Sequence, residues 1–180
     1  LPMAPMRQWN YYRFWRQHAP RSLPRLRLLL ATALRESFEE MRLNPWGVSF
    51  QGMLSPEHLV MFKRMMYPMV GWVRRQQHFV PNWEVERIVR IPIREVLDPA
   101  GHIGLRLKMA HTAMKPADGE FQDFPAFRYA SPGGTEILWG ATYRITMNFL
   151  ERVFGFVAPD IGSRTVAEKC LTEAYLTGKG

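Results

Sequence analysis

The 180-residue sequence predicts an α/β chain of the α+β kind, with a mixed sheet. Three observations predict it: an apolar helical stripe in residues 26–41, a middle stretch of short period-two runs, and a second helical stripe in residues 140–156.

In chain order, residues 6–18 come first. Trp9, Tyr11, Tyr12, Phe14 and Trp15 lie among Arg7, Arg13 and Arg16, which predicts an aromatic-rich amphipathic helix docked on the core. The same interleaving would also suit stacking on nucleic-acid bases. The stretch Ala19-Pro20-Arg21-Ser22-Leu23-Pro24 breaks that helix. A second helix is predicted from about Leu26 to Met41, with Leu30, Ala33, Leu34, Ser37 and Met41 on one face and Asn44-Pro45 as its stop. Strands are predicted near 46–53, 59–64, 66–75, 85–92, 103–110, 125–130 and 134–138, with a short helix over 93–97. Turn residues divide them at Ser55-Pro56, Pro81-Asn82, Asp98-Pro99-Ala100-Gly101 and Pro132-Gly133-Gly134. Ala141, Ile145, Phe149, Val153 and Phe154 form the later stripe, and residues 164–176 are predicted to close the chain as a helix with Lys169 and Glu173 at i,i+4.

At this length one domain with a sizeable core is expected, and a composition 47% hydrophobic and 13% aromatic argues for an ordered globule. Twenty-four Lys and Arg against 16 Asp and Glu give a net charge of +8, which attracts phosphates, nucleic acid or anionic membranes without choosing among them. Cys170 is the single cysteine, so an intrachain disulfide and a cysteine-based zinc site are excluded, and a cytoplasmic location is expected. No apolar run approaches the roughly 18–20 residues of a membrane span, and residues 1–7 lack the apolar core of a secretory signal, so neither is expected. His18, His58, His78, His102 and His111 have no metal-ligand spacing and read as surface or strand residues. No serine stands in a G-x-S-x-G context, and Gly133-Gly134 does not resemble a phosphate loop. Arg74-Arg75 suits either substrate phosphates or a solvated strand end. The 11 Met and 6 Trp would supply surface for a homodimer.

The densest chemistry is on the first long helix. Glu36 and Glu40 are i,i+4 neighbours there, with Cβ atoms about 5–6 Å apart, and Glu39 flanks them. Like charges so placed repel, and a hard divalent cation or a basic partner is the natural compensation.

The run Arg35-Glu36-Ser37-Phe38-Glu39-Glu40, with Leu43 after it, resembles the second half of the Nudix box. In that box a glycine, five residues, a glutamate and seven residues precede R-E-U-x-E-E-x-G-U, where U is bulky and apolar. Ser37 stands at the first U and Arg42 at the second glycine; counting back places Arg27 at the upstream glutamate and Arg21 at the first glycine. About 30 residues precede the helix, where the family places roughly 50. Further segments resemble the coenzyme A pyrophosphatase branch of the family in order and spacing. They include Val48-Ser49-Phe50-Gln51-Gly52, Pro81-Asn82-Trp83-Glu84-Val85, Ile91-Pro92-Ile93 and Trp139-Gly140-Ala141-Thr142-Tyr143-Arg144-Ile145.

The resemblance implies an α-β-α sandwich with a mixed sheet over residues 26–160, preceded by an aromatic segment, 1–25, and followed by a C-terminal helix, 161–180. It implies metal-dependent hydrolysis of a diphosphate bond in a nucleoside diphosphate derivative, coenzyme A-like at the level of the branch. Glu36 and Glu40 would be the main ligands of Mg²⁺ or Mn²⁺. Glu39 would bind through water or pair with Arg35, which would orient it. A further general base would come from Glu84, Glu120 or Glu136. Two alternatives stand beside this reading: a Nudix-like binding or regulatory module without turnover, and a basic nucleic-acid-binding protein.

Overall fold

The computed structural model describes residues 4–9, 11–59, 64–109, 123–131, 133–162 and 164–171. Its contacts divide the chain into two units, residues 1–90 and 91–180, so the division falls inside the stretch 26–160 expected as one domain.

In the first unit, α1 (Ala4–Arg7) and α2 (Tyr12–His18) precede the long α3 (Leu23–Met41). The expected aromatic helix is therefore two short helices. Pro24 sits in the first turn of α3, where its missing N–H costs nothing, and Leu23, Leu26, Leu30 and Leu34 form the buried stripe. These leucines pack with Met6, Trp9, Val48 and Phe50 as one core. The helix ends at Arg42, which takes the left-handed conformation with φ 55°. Arg42 donates its N–H to the Phe38 carbonyl at 3.0 Å, and Leu43 to Ser37 at 3.2 Å.

After a 3-10 turn, Pro45–Gly47, come β1 (Val48–Met53), β2 (Glu57–Leu59), β3 (Arg64–Met66) and β4 (Met69–Val73). β1 pairs antiparallel with β4, and β2 with β3. The first pairing shifts register between Phe50 and Gly52, leaving Gln51 as the extra residue, and the Trp9 indole N–H donates to its carbonyl at 3.0 Å. Gly71 is fixed by contact: a Cβ there would lie 2.8 Å from the Val48 Cγ1. Residues 60–63 of the strand predicted over 59–64 lie outside the described residues.

The strand predicted over 85–92 does not form; residues 87–92 have no regular structure. Its charged positions, Glu86, Arg87 and Arg90, interrupt the apolar run, and Pro92 has no N–H to give a ladder.

The second unit holds α4 (Ile93–Val96), the 3-10 turn Pro99–Gly101, β5 (His102–Met109), β6 (Asp123–Ser131), β7 (Gly134–Trp139), α5 (Gly140–Phe154) and β8 (Val166–Leu171). Its four-stranded sheet runs β7-β6-β5-β8, antiparallel except for β5 with β8, which is parallel. The chain thus has the mixed sheet and helices of the expected α+β class. The helix predicted over 164–176 is corrected: residues 166–171 are a strand. Val166, Ala167 and Cys170 serve a ladder as readily as a helix, and pairing from Gly104↔Val166 to Met109↔Leu171 decides between them. Glu173, the expected partner of Lys169, lies outside the described residues. Ile103, Leu105 and Ala126 form one buried cluster, and Val96, Phe127, Tyr143 and Leu150 another, under α5. Among the described residues no helix is long and apolar enough to cross a membrane.

Candidate functional site

The acidic face of α3 is the first place to test. Its apolar stripe fixes the helix against β1 and β4, and that sets Arg35, Glu36, Glu39 and Glu40 on the outer side, half-buried or exposed. Arg35 sits between two of the acids. It donates to both Glu39 carboxylate oxygens, at 3.1 and 3.2 Å, and also pairs with Glu36. Arg35 thus contacts both Glu36 and Glu39. These groups are about half exposed, and such pairs contribute about 0–1 kcal/mol.

Glu40 makes no side-chain ion pair or hydrogen bond among the described residues, but its backbone is held. Its carbonyl accepts from Asn82 N–H at 2.8 Å, and the Met41 carbonyl accepts from Val80 at 3.1 Å. The Gln76 side chain completes the helix end: its amide N–H donates to the Arg42 carbonyl at 2.8 Å, and its oxygen accepts from Asn44 N–H at 2.6 Å. Carbonyls left orphaned by the last turn are thereby satisfied. Gln76 carries no spacing signal in the sequence, and Asn82 belongs to the Pro81-Asn82 turn, whose partner local sequence does not reveal.

Asn82 also contacts one of the later acids, Glu84. Its side-chain oxygen accepts from Glu84 N–H at 2.9 Å, and its amide lies 3.4 Å from the Glu84 carboxylate. Glu84 is therefore two residues from a direct contact with Glu40. Glu136 is on β7 in the other unit, and Glu120 lies outside the described residues.

Upstream, Arg27, which the resemblance sets at the box's first glutamate, lies on α3 itself. Its guanidinium donates to the Tyr12 hydroxyl at 2.5 Å, with Nε buried and unpartnered among the described residues. A turn over residues 19–22, without glycine, joins α2 to α3.

For Mg²⁺ or Mn²⁺ the fit is one of donor chemistry. Carboxylates at i, i+3 and i+4 on a solvent-facing helix are the hard oxygens such ions take, and the competing Arg35 contacts are weak. The set is not gathered as it stands: no group of three or more His, Cys, Asp or Glu is placed to hold a metal among the described residues.

The second unit contains a buried polar pair. His102 Nε2 lies 2.9 Å from the Val96 carbonyl, which can only accept, so Nε2 carries the proton and Nδ1 accepts from the Tyr143 hydroxyl at 2.9 Å. Burial, the larger cause, pushes the His102 pKa down and is opposed by its bond to Val96; burial also pushes the Tyr143 pKa up. His102 is a strand residue, as expected, with both ring nitrogens satisfied. On β5 and β6, Arg106 and Asp123 face each other and pair at 2.8 and 2.9 Å.

No protein-family model matches the chain, and no curated protein matches it.

Proposed function

We propose that the chain is a metal-dependent hydrolase of the Nudix type, cleaving a diphosphate bond in a nucleoside diphosphate derivative. A coenzyme A-like compound is the first substrate to try. The observation that supports this reading best is the form of α3 and its end. Arg35 holds Glu39, Glu40 faces out one residue on, and the left-handed turn at Arg42 falls where the box has glycine, the residue that conformation favours. Glu36 and Glu40 would hold Mg²⁺ or Mn²⁺, with Glu39 binding through water or held by Arg35. When bound, such an ion neutralises the diphosphate and lowers the pKa of attacking water. Arg35 would position Glu39, and Glu84 is the general base to test first, because it follows by two residues the Asn82 N–H that bonds the Glu40 carbonyl. The single cysteine suits a reducing, cytoplasmic setting.

A second reading is a Nudix-like binding module without turnover. It is favoured by Arg27 at the place of an acidic ligand and by Arg35 engaging two of the three carboxylates. One experiment separates the two. The chain is incubated with Mn²⁺ or Mg²⁺ and coenzyme A, ADP-ribose, NADH and dinucleoside polyphosphates, and products are resolved by chromatography. Turnover that Glu40→Gln abolishes supports the hydrolase. No turnover on any compound, with calorimetric binding retained, leaves the module.

A further inference from the structure

A cleft of the first unit shares no lining residue with the acidic face. It measures about 700 Å³ and is lined by Trp9, Tyr11, Trp15, Arg25, Met53 and Tyr67, among others. That volume falls within the roughly 300–1,000 Å³ usual for small-molecule sites. Among the described residues, four aromatic rings and one cation line it, and no carboxylate does.

Both ends are held in place. The Trp9 indole is fixed by its bond to the Gln51 carbonyl and by an edge contact with Phe50, ring centroids 4.9 Å apart. Trp9 also lies 6.1 Å from both Tyr11 and Trp15, so the three rings form one aromatic wall, of which Tyr11 is 62% exposed. At the other end Arg25 rests over the Tyr67 ring at 5.2 Å and donates one N–H to its hydroxyl at 2.6 Å. A guanidinium has five N–H donors in a fixed fork, so the remaining ones can receive an acidic group.

We propose that this cleft binds a small planar aromatic anion, its ring stacked on Tyr11 and Trp15 and its acidic group on the Arg25 guanidinium. Aromatic faces accept any flat π-system, and the Arg25 guanidinium, with no carboxylate among the described lining residues, selects negative charge. A nucleoside monophosphate and an aromatic carboxylate share this chemistry. The proposal does not depend on hydrolysis at α3.

The test is calorimetric titration of the full chain with AMP, adenosine, 2-naphthoate, 2-naphthamide and inorganic phosphate. At least one anion is expected to bind one to one, and its neutral counterpart about tenfold more weakly or worse, the worth of one strong contact. Binding of AMP alone names the nucleotide as the source, and binding of 2-naphthoate alone names the carboxylate. Arg25→Met, an exposed substitution whose folding circular dichroism checks, should bring the anion down to the level of its neutral counterpart, and Arg25→Lys should restore part of the loss. Trp15→Leu should weaken both members of a pair. The proposal is overturned if neither anion binds, if phosphate alone binds as well as AMP, or if Arg25→Met binds like the parent chain.

Discussion

The two units end their long helices with the same backbone device and different residues. α3 finishes at Arg42 with φ 55°, and α5 finishes at Gly155 with φ 67°. In each, the left-handed residue donates its N–H to the carbonyl four back, Arg42 to Phe38 at 3.0 Å and Gly155 to Glu151 at 2.9 Å. The next residue donates six back, Leu43 to Ser37 and Phe156 to Leu150. Glycine adopts this conformation freely, whereas a residue with a Cβ pays about 1–2 kcal/mol. α5 is therefore closed without strain and α3 with it. Ser37 of α3 lines a cavity of about 200 Å³ bounded by Leu30, Leu34, Val48, Phe50 and Met69. Ser37 and Arg42 are the two positions where the chain departs from the second half of the box, and each coincides with a local cost.

The largest effects should come from the leucines under each helix. Leu34→Ala and Leu150→Ala should each cost about 2–5 kcal/mol by denaturant unfolding. Leu34 already faces the cavity and should fall at the low end, while Leu150, 1% exposed, should fall at the high end. Equal costs would break the contrast in packing.

Exchanging the helix ends comes next. Arg42→Gly should raise stability by about 1 kcal/mol and Gly155→Arg should lower it by a similar amount. If both changes destabilise, the side chain of Arg42, whose guanidinium lies 5.4 Å from the Phe38 ring centre, outweighs the strain. Filling the cavity is a separate repair. Ser37→Val removes a hydroxyl that only bonds back to the Ala33 carbonyl at 2.8 Å and adds apolar volume; a gain of about 0.5–1 kcal/mol in unfolding free energy is expected.

The second unit has a pH response centred on His102. Burial makes folded His102 hold its proton less tightly than the ordinary value of 6.5, against the opposing pull of Val96 and Asp98 and with the help of Arg164. Below pH 6.5 the unfolded chain therefore binds more protons, so this stability is fully present above 6.5 and is lost as pH falls beneath it. Thermal melts between pH 8 and 5 should show the loss, and His102→Gln should flatten that part of the profile. Asp123 behaves alike at lower pH: its hydrogen bonds to Arg106 hold its pKa below the ordinary carboxylate value, so its contribution is lost only as pH drops beneath that range.

Periodicity made the helices legible. Leu23, Leu26, Leu30 and Leu34 repeat at helical spacing, and α5 begins at Gly140 as its stripe predicts. It failed at residues 166–171, where a short run of mixed propensity became a strand because β5 offered an unpaired edge. A parallel partner more than 50 residues away in sequence leaves no local trace. The acidic face of α3 was legible for the same reason as the helix, since i,i+4 spacing fixes who neighbours whom. Asn82, Gln76 and the Trp9–Gln51 contact were not, because each joins loops or bulges across the fold. Trp9, Tyr11 and Trp15 of the Arg25 cleft are close together in sequence, yet Tyr67, which positions the guanidinium, lies 42 residues from Arg25.

The smallest effect on stability is expected at the acidic face, and that separates a structural role from a functional one. An exposed i,i+4 pair contributes about 0.3–0.5 kcal/mol, so Glu39→Gln should change the unfolding free energy by no more than that, and Glu40→Gln, with no partner among the described residues, by less still. If the carboxylates serve only to solvate the helix, Mn²⁺ titrated against the wild type should give no saturable heat, and neither substitution should matter. If they form the ligand set, wild type should saturate and Glu40→Gln should lose affinity about tenfold or more with stability unchanged. Arg35→Ala should then tighten Mn²⁺ binding, because it removes the cation that competes for Glu36 and Glu39. Weaker Mn²⁺ binding in Arg35→Ala would instead mean that Arg35 holds the carboxylates in the geometry the ion needs.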